Sequence, residues 1–162
     1  MKTRTWILGA VFATVSVLTG CDNPPAATSA PAQAVEETFQ DFGEYEVHYN
    51  ALRTDTLTPE VARAYGIQRG ANRVMLTVTL LRKEADQAPR KPVEGDVKVD
   101  AYNLNGQLKN IEMRRLSEGE AIYYIGEVTI SGNEILVFDI SATPSGAAAP
   151  LHVKLKREFY SN

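Results

Sequence analysis

The strongest constraint on the fold is an alternation of apolar and polar residues that recurs along most of the chain. In the segment YEVHYNAL, Tyr45, Val47 and Tyr49 share one face of an extended chain, and Glu46 and His48 share the other. A period of two residues is typical of β-strands that bury one face in a core. The sequence therefore predicts an all-β domain.

Seven segments are predicted as strands, most of them from this pattern, and turn residues separate most of them. Asn105-Gly106 predicts a hairpin, because both residues tolerate the positive φ of a type I′ turn, and the SGN segment at 131–133 predicts another. The strands are predicted at Tyr45–Leu52, Val74–Lys83, Val97–Leu104, Leu108–Arg115, Ala121–Ile130, Ile135–Ala142 and His152–Tyr160. The side chains expected in the core are Val47, Val78, Val99, Ile111, Leu136, Phe138, Ile140, Val153 and Leu155.

One short helix is predicted between the first two strands. Thr58 suits its N-cap, Pro59 its first position and Gly66 the residue after its end, so the helix is expected over residues 59–65. About seven strands and one helix in residues 38–162 favour an antiparallel two-sheet sandwich of immunoglobulin-like type. The hallmark pair of cysteines with a tryptophan is absent from this domain, so a small barrel remains the alternative.

The first 21 residues have the layout of an export signal. Lys2 and Arg4 precede the apolar run Trp6–Leu18, which is shorter than the usual membrane span of about 20 residues. The run leads into LTGC, which resembles the lipobox of bacterial lipoproteins and contains Cys21, the single cysteine of the chain. This resemblance implies cleavage before Cys21 and two or three acyl chains on it, which anchor a protein stably. An ordinary secretory leader is the alternative.

The residues after the cysteine predict a sorting signal and a tether. Asp22 resembles the residue that retains lipoproteins at the inner membrane in the best-studied sorting systems, so the inner membrane is favoured over the outer one. Residues 22–37 are rich in proline and alanine and contain no aromatic residue, which is typical of a disordered tether. The chain is thus divided into a lipoprotein leader (1–21), a tether (22–37) and one folded domain (38–162).

The balance of charge excludes nucleic acid as a partner. Without Lys2 and Arg4 the 17 basic residues of the chain fall to 15, whereas all 20 acidic residues remain, so the formal charge becomes −5. Nucleic-acid binding requires a concentrated basic surface. The partners that we expect instead are the lipid bilayer, through acylated Cys21, and an unknown protein of the cell envelope.

Three segments of the domain carry a family resemblance. FQDFGEYEVHYNAL, LTPEVARAYGI and EGEAIYYIGEV resemble an uncharacterised family of proteobacterial envelope proteins, which is classed as a domain of unknown function. The resemblance covers residues 38–160. It implies a periplasmic β-domain and supplies no catalytic residue, ligand or cofactor.

The domain offers few groups for catalysis or metal binding. Cys21 is assigned to lipid, no G-x-S-x-G motif is present, and both histidines, His48 and His152, fall on the polar faces of their strands. We therefore expect no enzyme, no catalytic residue and no cofactor, but a non-catalytic binding or assembly module on the periplasmic side. The alternative is a copper-type metal-handling domain in which His48 and His152 meet, with Met75 or Glu46 beside them.

Two further expectations concern the surface of the domain. If Tyr124 faces the core, Tyr123 and Ile125 form an apolar pair on the outer side of their strand, which favours a partner patch; a strand covered on both faces is the alternative. Asp139 is expected at the surface of a sheet. We also expect no pocket that brings together two or more of the candidate polar groups, His48, His152, Glu46, Asp100 and Asp139.

Overall fold

The computed structural model describes residues 38–84 and 89–161, and this part of the chain is built mainly from β-strands. The strands are β1 (Phe39–Asp41), β2 (Tyr45–Arg53), β3 (Arg73–Arg82), β4 (Lys91–Pro92), β5 (Gly95–Asn103), β6 (Leu108–Lys109), β7 (Arg114–Glu118), β8 (Ala121–Thr129), β9 (Glu134–Pro144) and β10 (Leu151–Phe159). A 3-10 helix (Thr54–Thr56) and helix α1 (Pro59–Ala64) lie between β2 and β3. Neither helix in the described ranges is long and apolar enough to cross a bilayer.

The strands form two separate antiparallel sheets. Sheet A has the order β1-β2-β3-β8-β7, with β4 paired to the end of β3, and sheet B has the order β10-β9-β5-β6. In sheet B, Val99 of β5 and Val153 of β10 both lie opposite Ile140 of β9. Apolar side chains of the two sheets form one core, so the predicted two-sheet antiparallel sandwich is confirmed.

The core contains most of the side chains predicted for it. Those buried are Val47, Val78, Leu136, Phe138, Ile140, Val153 and Leu155. Val99 and Ile111 are only half-buried, and both pack at the margin of the core. A hydrogen-bonded contact also links the two sheets. The hydroxyl of Tyr124, in β8 of sheet A, donates a hydrogen bond to the carbonyl of Gly95, in β5 of sheet B, at 2.9 Å and accepts one from the Gly95 N–H at 2.8 Å.

The hairpin predicted at Asn105-Gly106 is confirmed. It joins β5 to β6, and Gly106 has a φ of +74°, a conformation that favours glycine. The Asn103 side-chain oxygen accepts hydrogen bonds from the Asn105 and Gln107 N–H groups at 3.1 and 3.0 Å. These bonds satisfy the backbone donors of the turn.

Two other predictions, one of a strand and one of a hairpin, are wrong. The strand expected over Leu108–Arg115 is two strands, because the chain leaves sheet B after β6 and enters sheet A at β7. Ile111 and Met113 of this crossing pack against Gly126 of β8, where a Cβ atom would lie 2.5 Å from the Met113 sulfur. The turn at 131–133 also joins β8 of sheet A to β9 of sheet B, so it does not form a hairpin.

Helix α1 is confirmed where the sequence predicts it. The Thr58 side chain accepts a hydrogen bond from the Val61 N–H at 3.3 Å, and Pro59 occupies the first position of the helix. The helix ends one residue earlier than expected, with Tyr65 as its C-cap before Gly66. Local capping signals therefore set both ends of this element.

Helix α1 and the residues after it cover part of the outer face of sheet A. Ala62 and Ile67 pack on Met75 and Ile125 in a second apolar cluster, and Tyr123 is half-buried at its margin. The expected patch of Tyr123 and Ile125 is therefore not presented to solvent. At this position β8 is covered on both faces, which is the alternative interpretation.

Candidate functional site

The residues predicted for membrane attachment lie outside the described part of the chain. They are Cys21 for lipidation and Asp22 for sorting, together with the leader and the tether. Their roles stay predictions.

The two histidines of the metal-handling alternative lie on the outer faces of different sheets. Val47 and Tyr49, the neighbours of His48 in β2, point into the core, and so does Val153, the neighbour of His152 in β10. Packed sheets are about 10 Å apart, and both imidazoles lie beyond that gap. The structure does not bring the two histidines together, and no three His, Cys, Asp or Glu side chains in the described ranges can hold a metal ion as a group.

The most unusual polar group in the described residues is Glu46 of β2, whose side chain is only 1% exposed. Its Oε2 atom lies 3.1 Å from Nε2 of His48 and 2.5 Å from Nε of Arg90. Its Oε1 atom lies 3.6 Å from Nζ of Lys83 and has no hydrogen-bond partner among the described residues. Buried carboxylate oxygens are normally hydrogen-bonded. We refer to Glu46, His48, Lys83 and Arg90 as the Glu46 cluster.

Strand β1 encloses the Glu46 cluster from one side. Asp41 lies opposite Glu46 in the register of β1 and β2, and Phe39 lies opposite His48. The Phe39 ring stacks on the imidazole, with ring centroids 5.2 Å apart and an interplanar angle of 18°. Lys83 forms an ion pair with Asp41 as well as with Glu46, so it joins β1 to the buried carboxylate.

The surroundings of Glu46 keep it ionised. Burial raises the pKa of its carboxyl group, but the hydrogen bonds from His48 and Arg90 and the charges of Arg90 and Lys83 outweigh burial, and the pKa lies below its ordinary value of 4.5. The bond to Asp41 raises the pKa of Lys83. The cluster therefore places an ionised carboxylate beside an imidazole, a combination that can bind a cation.

A second polar group lies on the outer face of sheet B. Tyr102 donates a hydrogen bond to Oδ2 of Asp139 at 2.8 Å, and Nζ of Lys154 lies 2.8 Å from Oδ1 of the same carboxylate. The Lys154 bond lowers the pKa of Asp139 below its ordinary value of 3.8, against the effect of burial and with help from Tyr102. Asp139 thus lies at a sheet surface as predicted, half-exposed and paired to neighbouring strands.

Glu46 and His48 are hydrogen-bonded to each other. The expectation that no pocket brings together two of the candidate groups is wrong, because Asp139 and His152 line one shallow depression on sheet B. Asp100 of β5 lies opposite Asp139 of β9 in the register. Residues two apart on a strand share a face, so the sequence contained the signal for the first pair, but nothing in it indicated that Glu46 is buried.

Sequence reasoning also missed a buried ion pair at one end of the sandwich. Lys109 and Glu134 are 13% and 10% exposed, and Nζ lies 2.7 Å from Oε1. Asn103 donates a further hydrogen bond to the same oxygen at 2.8 Å. Burial raises the pKa of Glu134, but the bonds from Lys109, Asn103 and a backbone N–H outweigh it, so the pKa lies below 4.5. This pair joins β6 to β9 and is structural.

Comparisons with known proteins place this fold in a family. Residues 39–162 match the family model described as a domain of unknown function, DUF4426. The chain is similar to the crystal structure of a DUF4426 family protein from Pseudomonas aeruginosa PAO1, with 33% sequence identity and a TM-score of 0.65, over 76% of this chain and 94% of that one.

A second solved structure shares the fold alone. It is a copper-bound variant of FetP from uropathogenic Escherichia coli strain F11, with 13% identity and a TM-score of 0.53, over 76% of this chain and 95% of that one. A search of curated proteins finds no match. The family resemblance inferred from the sequence is confirmed by the first two comparisons. The chain belongs to the DUF4426 family, whose members share a domain of unknown function.

Proposed function

We propose that this protein is a lipoprotein of the bacterial cell envelope, which presents its sandwich on the periplasmic side as a non-catalytic binding or assembly module. The observation that carries the proposal is the LTGC segment, which places the single cysteine of the chain between an export leader and a tether rich in proline and alanine. Acyl chains on Cys21 hold the protein on the membrane, and Asp22 favours retention at the inner membrane.

The polar groups of the domain support binding rather than catalysis. Glu46 is engaged by Arg90, and Asp139 is engaged by Tyr102 and Lys154. Neither arrangement places a nucleophile beside a free base, which nucleophilic catalysis requires. The partner we propose is an envelope protein.

Only one of the two histidines in the metal-handling alternative, His48, is supported as a metal ligand by the geometry. FetP is copper-bound in the solved variant, but 13% identity transfers the fold and no ligand to this chain. His152 lies on the outer face of the opposite sheet from His48. The part of this alternative that the geometry supports is the contact between His48 and Glu46.

Replacing Cys21 by Ser is expected to abolish acylation and to leave the leader uncleaved, because no other thiol is present to accept a diacylglycerol unit. Incorporation of labelled palmitate and the mobility of the protein on a denaturing gel measure both effects. Ser29→Ala, in the tether, is the matched control and should retain label and cleavage. A free thiol at Cys21 in exported wild-type protein would contradict lipid anchoring.

The binding role is tested by crosslinking in living cells, followed by mass spectrometry of the captured proteins. We expect the wild type to capture an envelope protein that is absent when residues 38–162 are replaced by an unrelated periplasmic domain. The control keeps the same leader and tether, so proteins that meet the anchor alone appear with both chains. Identical captures from the two chains would show that the domain binds no partner of its own.

A further inference from the structure

The spacing of Glu46 and His48 allows one ion to contact both side chains. Nε2 of His48 lies 3.1 Å from Oε2 of Glu46. Nitrogen and oxygen ligands lie about 2.0–2.2 Å from a transition-metal ion, so two adjacent ligands at a right angle are separated by about 3 Å. The pair therefore already has the separation of two neighbouring ligands of one metal ion.

The second oxygen of Glu46 is an independent observation at the same place. The Oε1 atom is buried and has no hydrogen-bond partner among the described residues, and Nζ of Lys83 lies 3.6 Å away from it. Leaving a buried acceptor unsatisfied is unfavourable, so a ligand that contacts this oxygen removes an existing cost. Carboxylates also bind metal ions through both oxygens.

We propose that Glu46 and His48 form a binding site for a divalent transition-metal ion. Imidazole and carboxylate ligands suit Cu²⁺, which binds a given nitrogen and oxygen site more tightly than the other divalent first-row ions. No third His, Cys, Asp or Glu side chain in residues 38–84 and 89–161 completes the group. Water molecules therefore fill the remaining positions, and the ion exchanges with solvent.

Arg90 is bound to the same Glu46 oxygen that the metal ion contacts in the proposed site. Its Nε atom lies 2.5 Å from Oε2 of Glu46, but its side chain is 53% exposed and can move into water. Lys83 has Asp41 as a second partner and can stay in place. Metal binding is thus a competition with the Arg90 guanidinium, which neutralises Glu46 when no ion is bound.

Titration of the purified full-length Cys21→Ser protein with Cu²⁺ tests this site. The substitution removes the thiol, which itself binds copper, and the protein is purified without a histidine tag. We expect calorimetry to show one bound Cu²⁺, and electron paramagnetic resonance to show coupling to one imidazole nitrogen. In this background His48→Gln is expected to weaken binding at least about tenfold, the smallest effect usual for groups around a metal.

Two further variants distinguish this site from a copper site elsewhere on the protein. His152→Gln is the matched control and should leave the affinity for Cu²⁺ unchanged, whereas Arg90→Ala should increase it because the competing cation is gone. His48 and Arg90 are partly exposed, and circular dichroism melting checks that each variant is folded. An unchanged affinity in His48→Gln, loss of binding in His152→Gln, or weaker binding in Arg90→Ala would overturn the proposal. Acylation of Cys21 plays no part in these outcomes.

Discussion

Replacing Phe138 by Ala is expected to lower the free energy of unfolding by about 3–5 kcal/mol. Phe138 is fully buried in β9, which pairs with β5 on one side and β10 on the other. It lies opposite Ala101 and Leu155, which are also buried. Because these neighbours are held by strand pairing, they cannot collapse into the cavity left by the ring. Equilibrium unfolding in urea measures the change.

Leu108→Ala is the matched control for this measurement. Leu108 lies at the edge of sheet B and is 75% exposed, so truncating it is expected to change stability by less than about 0.5 kcal/mol. A similarly small loss in Phe138→Ala would show that the ring lies outside the core, which contradicts the two-sheet sandwich.

Replacing Lys109 by Ala is expected to cost about 3 kcal/mol at neutral pH, because it leaves the Glu134 carboxylate ionised in a largely buried position without its charged partner. Asn103 still donates to Glu134, but it carries no charge. Lys98→Ala is the matched control. Lys98 pairs with Asp96 on the exposed face of β5, where solvent screens the charges, so no measurable loss is expected.

The effect of Lys109→Ala is also expected to depend on pH. The pKa of Glu134 in the folded protein lies below its ordinary value of 4.5, so the ion pair stabilises the fold fully above pH 4.5 and loses this contribution as the pH falls through the folded pKa. Unfolding of wild type and variant in urea should therefore differ at neutral pH and converge in acid. A difference independent of pH would show that Lys109 stabilises the fold through its aliphatic chain.

Local signals in the sequence predict the strands and helix α1 well, but not the sheet that each strand joins. Ile111 and Met113 are apolar and two residues apart, so the segment Leu108–Arg115 resembles one strand. Its crossing between the sheets depends on the space that Gly126 leaves on β8. Strand β1 was missed because its three residues are all exposed and show no buried face.

The candidate site shows the same limit. Alternation predicts that Glu46 and His48 share a face, and the structure confirms it. It cannot predict that Lys83 and Arg90, distant in sequence, neutralise Glu46 in a buried position. Alternation also gives the face of a side chain within its own strand but not the sheet that contains that strand, so it could not show that His48 and His152 belong to different sheets.

The path of the chain through the two sheets determines how the domain can form. Sheet A takes β1 to β4 and later β7 and β8, whereas sheet B takes β5 and β6 and later β9 and β10. Strand β3 can pair with β8 only after the segments between them have been synthesised. The same holds for β5 and its partner β9. Such pairings between distant segments close large loops and slow folding. Neither half of the domain contains a whole sheet, so we expect the core to assemble in one cooperative step after the last strands of the chain have been made.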